Sequence, residues 1–290
     1  MIQTVTTGQL ANAQRVVISK VRFTAEHSAP CISLVEKMTL GRGEKSITAP
    51  KVGQMSWQDL VDGVDMTDSE EIGMATTDLT TSEAGIKVIL TDKLVRQENE
   101  DVFGMVGRQI GDGLGRKKDG DIVALFAALN GGTSLGAATK FLTLKNLAAC
   151  ISYAKSHKFS GGGPLALVHH PNAIFGVAST ASIATAATAP IPSGFSQDLL
   201  KDFYKFVLNG VAVFEDGNIA EDADGDGIGA IFARGAMVYV ESKGFTTERQ
   251  RDASLRATEV VATTDYGVFE LDDAYGAPLT YDVADLATNN

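Results

Sequence analysis

The stretch GIKVILTDKLVRQENEDVFGMVGRQIGDGLGRKKDGDIVALFAAL, residues 85–129, decides the fold of this chain. The apolar run Ile86–Leu90 predicts a strand. The residues that follow repeat apolar side chains at three- and four-residue spacing, which predicts one long amphipathic helix. This apolar stripe consists of Val102, Met105, Val106, Ile110 and Leu114.

Glycines form a second stripe on the same predicted helix, at Gly104, Gly107, Gly111 and Gly115. Each internal glycine costs a helix about 0.5–1 kcal/mol relative to alanine. The stripe therefore indicates a structural helix against which another backbone packs closely. The alternative is a bent or broken helix.

The composition narrows the class of protein. Of the 290 residues, 44% are apolar and 21% are charged, as in ordinary globular proteins. The net charge of −11 argues against a protein that reads nucleic acid sequence, since phosphate binding requires a basic face. The isolated Cys31 and Cys150 predict free thiols. Residues 159–197 carry no charge, but prolines interrupt them, so we expect no membrane span.

Residues 37–84 predict a long acidic hairpin. Two β-tending pieces, residues 45–52 and 72–80, flank a tip around Trp57, and no Lys or Arg lies between Lys51 and Lys87. A hairpin of this length cannot bury its own faces. We expect it to lie on another, basic surface; the alternative is a solvated acidic loop. Its acidic residues are Asp59, Asp62, Asp65, Asp68, Glu70 and Glu71.

The rest of the chain alternates and then becomes β-rich. Between residues 142 and 229 the pattern predicts helices at 144–158, 171–180 and 199–208, with strands at 164–168 and 210–214. After it come predicted strands at 230–240, 256–264, 266–271 and 279–283, with a charged connector between the first two. The expected class is α+β.

No motif predicts catalysis or a cofactor. Asp222, Asp224 and Asp226 match the first half of a calcium loop, but Ala233 stands where the bidentate Glu belongs. An acidic surface turn is the favoured interpretation. His169 and His170 could hold a metal or act as a base; a strand end with one histidine capping a helix is favoured.

The order of these parts resembles the major capsid protein of tailed bacteriophages, the Hong Kong 97 fold. Local texture adds to the resemblance in IFARGAMVYV, residues 231–240, and ATTDYGVFEL, residues 262–271. It implies an N-arm at 1–36, an extended E-loop at 37–84, a P domain at 85–141 and 230–283, an A domain at 142–229 and a tail at 284–290. The spine helix of the P domain would span about 94–118.

The resemblance also implies a function. The chain would be a non-enzymatic shell subunit that assembles as hexamers and pentamers around double-stranded DNA, without sequence-specific contact. Portal, scaffold and cement proteins would be its partners, and it would be assembled in the bacterial cytoplasm and located in the virion. The alternatives are an encapsulin-type compartment with the same fold and, from another class, a calcium-binding soluble protein.

The acidic tip and the family's geometry together predict contacts between subunits. We expect Trp57 and the six acidic residues to meet cations of a neighbouring copy. Some family members also join an E-loop lysine to a P-domain asparagine. Lys45 or Lys51 could supply the amine here, but no Asn lies between Lys243 and Arg256, so we expect no such cross-link. The candidate cations are Arg108, Arg116, Lys117 and Lys118 on the spine helix, and Lys243, Arg249, Arg251 and Arg256 on the P-domain loop.

Overall fold

The structure is a computed structural model that describes residues 31–41, 43–52, 59, 62, 74–97, 102–157, 162–177 and 205–284. The helices are α1 (Cys31–Leu34), α2 (Asp92–Gln97), α3 (Val102–Val123) and α4 (Leu144–Ser156), with a further helical segment at 171–177. Short 3₁₀ turns span Phe126–Gly132, Arg234–Ala236 and Asp273–Tyr275. The strands are β1 (Glu36–Thr39), β2 (Ser46–Val52), β3 (Met74–Thr80), β4 (Ser82–Thr91), β5 (Leu135–Gly136), β6 (Leu165–His169), β7 (Lys205–Leu208), β8 (Val211–Glu215), β9 (Asp226–Ala233), β10 (Met237–Asp252), β11 (Ala257–Glu270) and β12 (Gly276–Asp282).

The first sheet has the strand order β1-β10-β11-β4. Strands β10 and β11 form a long antiparallel hairpin, and β4 runs antiparallel beside β11. Helix α3 lies on one face, where Ile110 packs on Val260 and Ala262. Sequence pattern explains this contact: Ile110 belongs to the apolar stripe, and alternate residues of β11 share one face.

The second sheet has the order β5-β12-β9-β6-β8-β7. Helix α4 covers it through Leu147 and Ile151, which belong to one buried cluster with Leu167, Ile231 and Leu279. The third sheet is the two-stranded hairpin β2–β3. Its strands pack on the first sheet, on the face opposite α3, where Leu79 contacts Val238 and Val240.

Residues 85–129 fold largely as their sequence pattern predicts. Residues 86–90 lie in β4, and α3 is the long helix, although it ends at Val123 instead of 118. The chain then stops being helical at Leu129–Gly131, where Asn130 and Gly131 have positive φ angles of 55° and 60°, as an Asn-Gly-Gly sequence favours. No described residue comes within 4 Å of a methyl group placed on Gly107, Gly111 or Gly115. The close backbone contact expected there is therefore not made by the described part of this chain.

Several secondary-structure predictions were wrong. The strand predicted at 230–240 is divided by the 3₁₀ turn Arg234–Ala236, which separates β9 in the second sheet from β10 in the first. The strands predicted at 256–264 and 266–271 form one continuous strand, β11. Residues 205–208 form β7 and not the end of a helix, because Asn209 and Gly210 adopt positive φ angles of 50° and 80° and turn β7 back onto β8. The charged segment 241–252 is not a connector but the outer half of β10, paired with β11. Its charges sit on an exposed edge strand beside β11 and β4, where alternation of apolar and polar residues is not required.

The proposed domain limits agree only in part with the observed pairing of strands. The limit at 229/230 falls inside β9, and β12, placed in the P domain, pairs with β9 and shares a sheet with β6. The limit at 84/85 falls inside β4. The division into N-arm, E-loop, P domain and A domain stays a proposal. Among the described helices, none is both long and apolar enough to cross a bilayer.

Candidate assembly interface

The acidic hairpin supplies one side of the predicted contact. Asp59 and Asp62 are exposed. Trp57, Asp65, Asp68, Glu70 and Glu71 lie outside the described residues. The two described acids are accessible to a partner.

The root of the hairpin is held by its own chain. Lys51 Nζ lies 2.7 Å from a carboxylate oxygen of Asp272 and 3.7 Å from one of Asp273. A Cβ on Gly267 would lie 2.5 Å from the carbonyl oxygen of Thr80, so only glycine allows β3 to pass this close to β11. These contacts set the direction in which the hairpin leaves the body.

Lys51 was also a candidate amine for a covalent link. The hydrogen bond with Asp272 raises the pKa of Lys51. A more basic, ion-paired amine is a poorer nucleophile. That no such link forms stays a prediction.

The cations of α3 divide into internal and exposed groups. Lys118 Nζ lies 5.2 Å from the ring centres of both Tyr239 and Tyr266 and 3.1 Å from Glu241, so it fastens α3 to the first sheet. Lys118 is therefore a poor candidate for a contact between subunits. Lys117, whose side chain is more exposed, pairs with Asp121 at 3.1 Å on the same helix.

Arg108 and Arg116 keep unused binding capacity. Arg108 is exposed and forms no ion pair with any described residue. The Nε atom of Arg116 is shielded from solvent and has no hydrogen-bond partner in the described part of the chain. These two guanidinium groups remain candidates for contact with another copy.

A basic cluster forms at the outer end of the β10–β11 hairpin. Both terminal nitrogens of Arg251 bond to the carboxylate of Asp92, at 2.6 and 2.8 Å. This hydrogen bonding lowers the pKa of Asp92, and the charges of Arg96 and Arg256 act in the same direction. Three guanidinium groups thus surround one carboxylate, which leaves an excess of positive charge.

The sequence alone did not reveal all of this cluster. Arg251 and Arg256 were predicted contact residues, but Arg96 was missed because only the pairing of β4 with β11 brings it near them. Lys243 and Arg249 are exposed on the same β-hairpin.

The candidate calcium turn is a capped loop. Asp222 Oδ1 accepts hydrogen bonds from the backbone N–H groups of Asp224 and Asp226, at 2.9 and 2.8 Å. The buried Asp226 carboxylate instead accepts the N–H of Thr139 at 2.7 Å. The carboxylates of Asp222 and Asp226 thus accept hydrogen bonds from the backbone, as expected for a surface turn. We therefore do not propose a calcium site here.

A buried acidic cluster was not predicted. The backbone N–H of Cys31 donates to Asp119 at 3.0 Å, and its thiol donates to Asp216 at 3.4 Å. Asn218 donates its side-chain amide to Asp119 and its backbone N–H to Asp216. Burial, and then hydrogen bonding with Asp216, raise the pKa of Asp119 to about 8.

This cluster joins α1, α3 and the residues after β8. The ligand atoms of Cys31, Asp119 and Asp216 lie within 4.8 Å of one another, the only such trio among the described residues. Thiolate and carboxylate are metal donors, but here each group already has a hydrogen-bond partner in the cluster. The hydrogen bonds of the cluster hold three segments together, and the raised pKa of Asp119 keeps its carboxyl protonated at neutral pH.

The paired histidines are structural. His169 is fully buried; its Nε2–H donates to Leu279 O, and its Nδ1 accepts the N–H of His170. Burial lowers the pKa of His169 to about 3, so the ring stays neutral. His170 Nδ1 accepts the N–H of Asn172 at the start of helical segment 171–177, which confirms the capping interpretation.

Comparison with known proteins identifies the architecture. No family model and no curated protein matches the sequence. A chain from the capsid of the cyanophage P-SCSP1u is 16% identical, with 87% of each chain covered and a TM-score of 0.63. A chain of the cyanophage Pam1 capsid is 9% identical, with 89% of this chain and 93% of that one covered and a TM-score of 0.68.

A third similar structure comes from a different kind of particle. The holo-SrpI encapsulin complex of Synechococcus elongatus PCC 7942 is 10% identical, with 90% of this chain and 89% of that one covered and a TM-score of 0.62. Identities this low establish the fold alone. The chain has the Hong Kong 97-type fold of tailed-phage capsid chains.

Proposed function

We propose that this chain is the major capsid protein of a tailed bacteriophage. It assembles as hexamers and pentamers into an icosahedral shell around double-stranded DNA. The observation that carries the proposal is the similarity to capsid chains over nearly nine tenths of this chain. Its role in the virion is structural, after assembly in the bacterial cytoplasm with portal, scaffold and cement proteins as partners.

The E-loop contact supplies the assembly step. The acidic tip of one copy lies against cations of the next copy. Its principal partner there is the basic cluster of Arg96, Arg251 and Arg256. Each exposed pair contributes about 0–1 kcal/mol. Apolar burial between copies supplies most of the free energy of assembly, and the charges orient the subunits.

The charge balance suits a container. With a net charge of −11, the shell does not bind the phosphates of a densely packed genome tightly. The DNA can therefore move during filling. Sequence-specific contact is neither needed nor expected.

The experiment changes all six acids of the tip to Asn or Gln. We expect the variant to assemble more slowly, with a weaker response to salt, because orienting charge pairs are lost. Light scattering at low and high ionic strength measures both effects. The control carries Glu221→Gln and Asp224→Asn, two exposed acids in a surface turn. Identical rates and salt response in the tip variant would remove the charged contact from the proposal.

The encapsulin likeness supports a second candidate, a protein compartment that stores cargo. The contents of purified particles separate the two. Nuclease-protected DNA favours the capsid, whereas a co-purifying cargo protein without DNA favours the compartment.

A further inference from the structure

An apolar groove separates α3 from the first sheet beside the edge strand β4. Its volume is about 720 Å³. Ile86 and Phe245 line it and remain 51% and 46% exposed. Because protein interiors are close-packed, a gap of this size between a helix and a sheet indicates a missing occupant.

Small residues create this groove. Gly113 on α3 faces Ala84 and Ala262 on the sheet, so the two layers do not meet there. Strand β4 is also the last strand of its sheet, and its outer edge has no strand partner in the described part of the chain. A free edge beside an apolar groove accepts an extended segment that adds one strand and inserts alternate side chains.

The face of β4 that points away from the groove determines which charge the occupant must carry. Glu83 stands directly across from Asp265, and like charges in this position destabilise a sheet. Neither forms an ion pair with a described residue. Asp265 Oδ1 is shielded from water and has no hydrogen-bond partner among the described residues. The occupant must therefore be apolar on one face and cationic on the other.

One segment of this chain has that pattern. In Lys20-Val-Arg-Phe23 the apolar and basic residues alternate, so as a strand it places Val21 and Phe23 on one face and both cations on the other. The acidic tip, residues 59–71, contains no cation and would add negative charge beside Glu83.

The segment can also reach the groove. The N–H of Cys31 binds Asp119 on α3, and the neighbouring Lys117 and Asp121 line the groove. Seven residues, 24–30, span up to about 23 Å when extended. A helix is only about 10–12 Å across, so the chain can pass around α3 to its other side.

We propose that Lys20–Phe23 lies along the free edge of β4 in the same chain. Val21 and Phe23 fill the groove beside Ile86, and Lys20 and Arg22 compensate Glu83 and Asp265. The segment is thus a fifth strand of the first sheet. It closes an edge that would otherwise be open to other chains.

Cross-linking of the full-length protein tests this placement. The double variant Val21→Cys/Ile86→Cys is treated with a short bismaleimide, denatured and digested. We expect a linked peptide pair joining positions 21 and 86 within one chain. The control Val21→Cys/Val207→Cys, whose second site is exposed on the other sheet, should not link. Single-cysteine variants account for the buried native thiols.

Several outcomes would overturn the proposal. They are the absence of the 21–86 link, a link found only between two chains, or equal linking in the Val207 control. The readout is taken on denatured chains and does not depend on whether shells form.

Proteolysis gives a second test. Ile86→Asp should make trypsin cleave after Lys20 and Arg22 about tenfold faster, because the docked strand is released. The control Ile86→Val should not change the rate. Equal cleavage in Ile86→Asp and the native protein would count against the docked strand.

Discussion

At the residue scale, Lys118 has the clearest single role. Its amine lies 5.2 Å from two tyrosine ring centres and beside Glu241, with the side chain only 12% exposed. We expect Lys118→Met to lower the free energy of unfolding by about 1–2 kcal/mol, through loss of the cation–π contacts and the ion pair. Urea unfolding measures the change.

Lys117 provides the matched control, since it is the next residue and its side chain is 57% exposed. Lys117→Met should change the free energy of unfolding by no more than about 0.5 kcal/mol. Equal effects from the two variants would contradict the internal role of Lys118.

Asp119 predicts the pH dependence of stability. Its pKa of about 8 lies above that of an unfolded aspartate, near 3.9. Between these values the native state holds a proton that the unfolded state lacks. The free energy of unfolding therefore falls as pH rises, by up to about 1.4 kcal/mol per pH unit.

The variant Asp119→Asn removes that proton site, so we expect a flatter profile in urea unfolding between pH 5 and 7.5. Asp224→Asn, an exposed control, should keep the native slope. If Asp119→Asn also kept the native slope, the proton held by Asp119 would not govern the pH dependence of stability.

The sequence predicted the roles of some single residues and not of others. The spacing of Ile110 predicted its burial, because helical periodicity is local information. Asp119 could not be predicted as part of a cluster. Its partners Cys31 and Asn218 lie 88 and 99 residues away, and only the fold brings them together.

At the element scale, the glycines of α3 make the strongest prediction. Gly107, Gly111 and Gly115 face open space in the described chain. Replacing all three by alanine should stabilise the unassembled chain by about 0.5–1 kcal/mol per site. The same variant should assemble poorly, because the added methyl groups would block the close backbone contact that this stripe predicts.

Gly120→Ala is the control for this effect, since Gly120 is equally open but lies on another side of α3. It should stabilise the chain without changing assembly in light scattering. Normal assembly of the triple variant would show that the stripe contacts nothing in the particle.

Elements whose pattern was local were predicted best. The strand at 86–90, the long helix and the strand at 164–168 have clear periodicity, and the structure contains all three. The outer half of β10 was missed because it is an exposed edge strand, whose charged residues show no apolar alternation to detect. The Asn-Gly turn after β7 was a usable hairpin signal that was not applied.

At the scale of the whole molecule, the order of elements was more informative than any motif. It predicted the fold, and the candidate contact residues followed from charge together with the geometry of the family that the chain resembles. The domain limits stay a proposal, because β9 and β12 are far apart in sequence and pair only in the folded chain. The long hairpin and the open glycine stripe both indicate surfaces that neighbouring copies complete.

Cryo-electron microscopy of the purified full-length protein shows whether copies of this chain build a shell. We expect closed shells built of pentamers and hexamers, with the hairpin of residues 37–84 lying across an adjacent subunit. A monodisperse monomer or small oligomer at high protein concentration, with that hairpin folded against its own body, would contradict it.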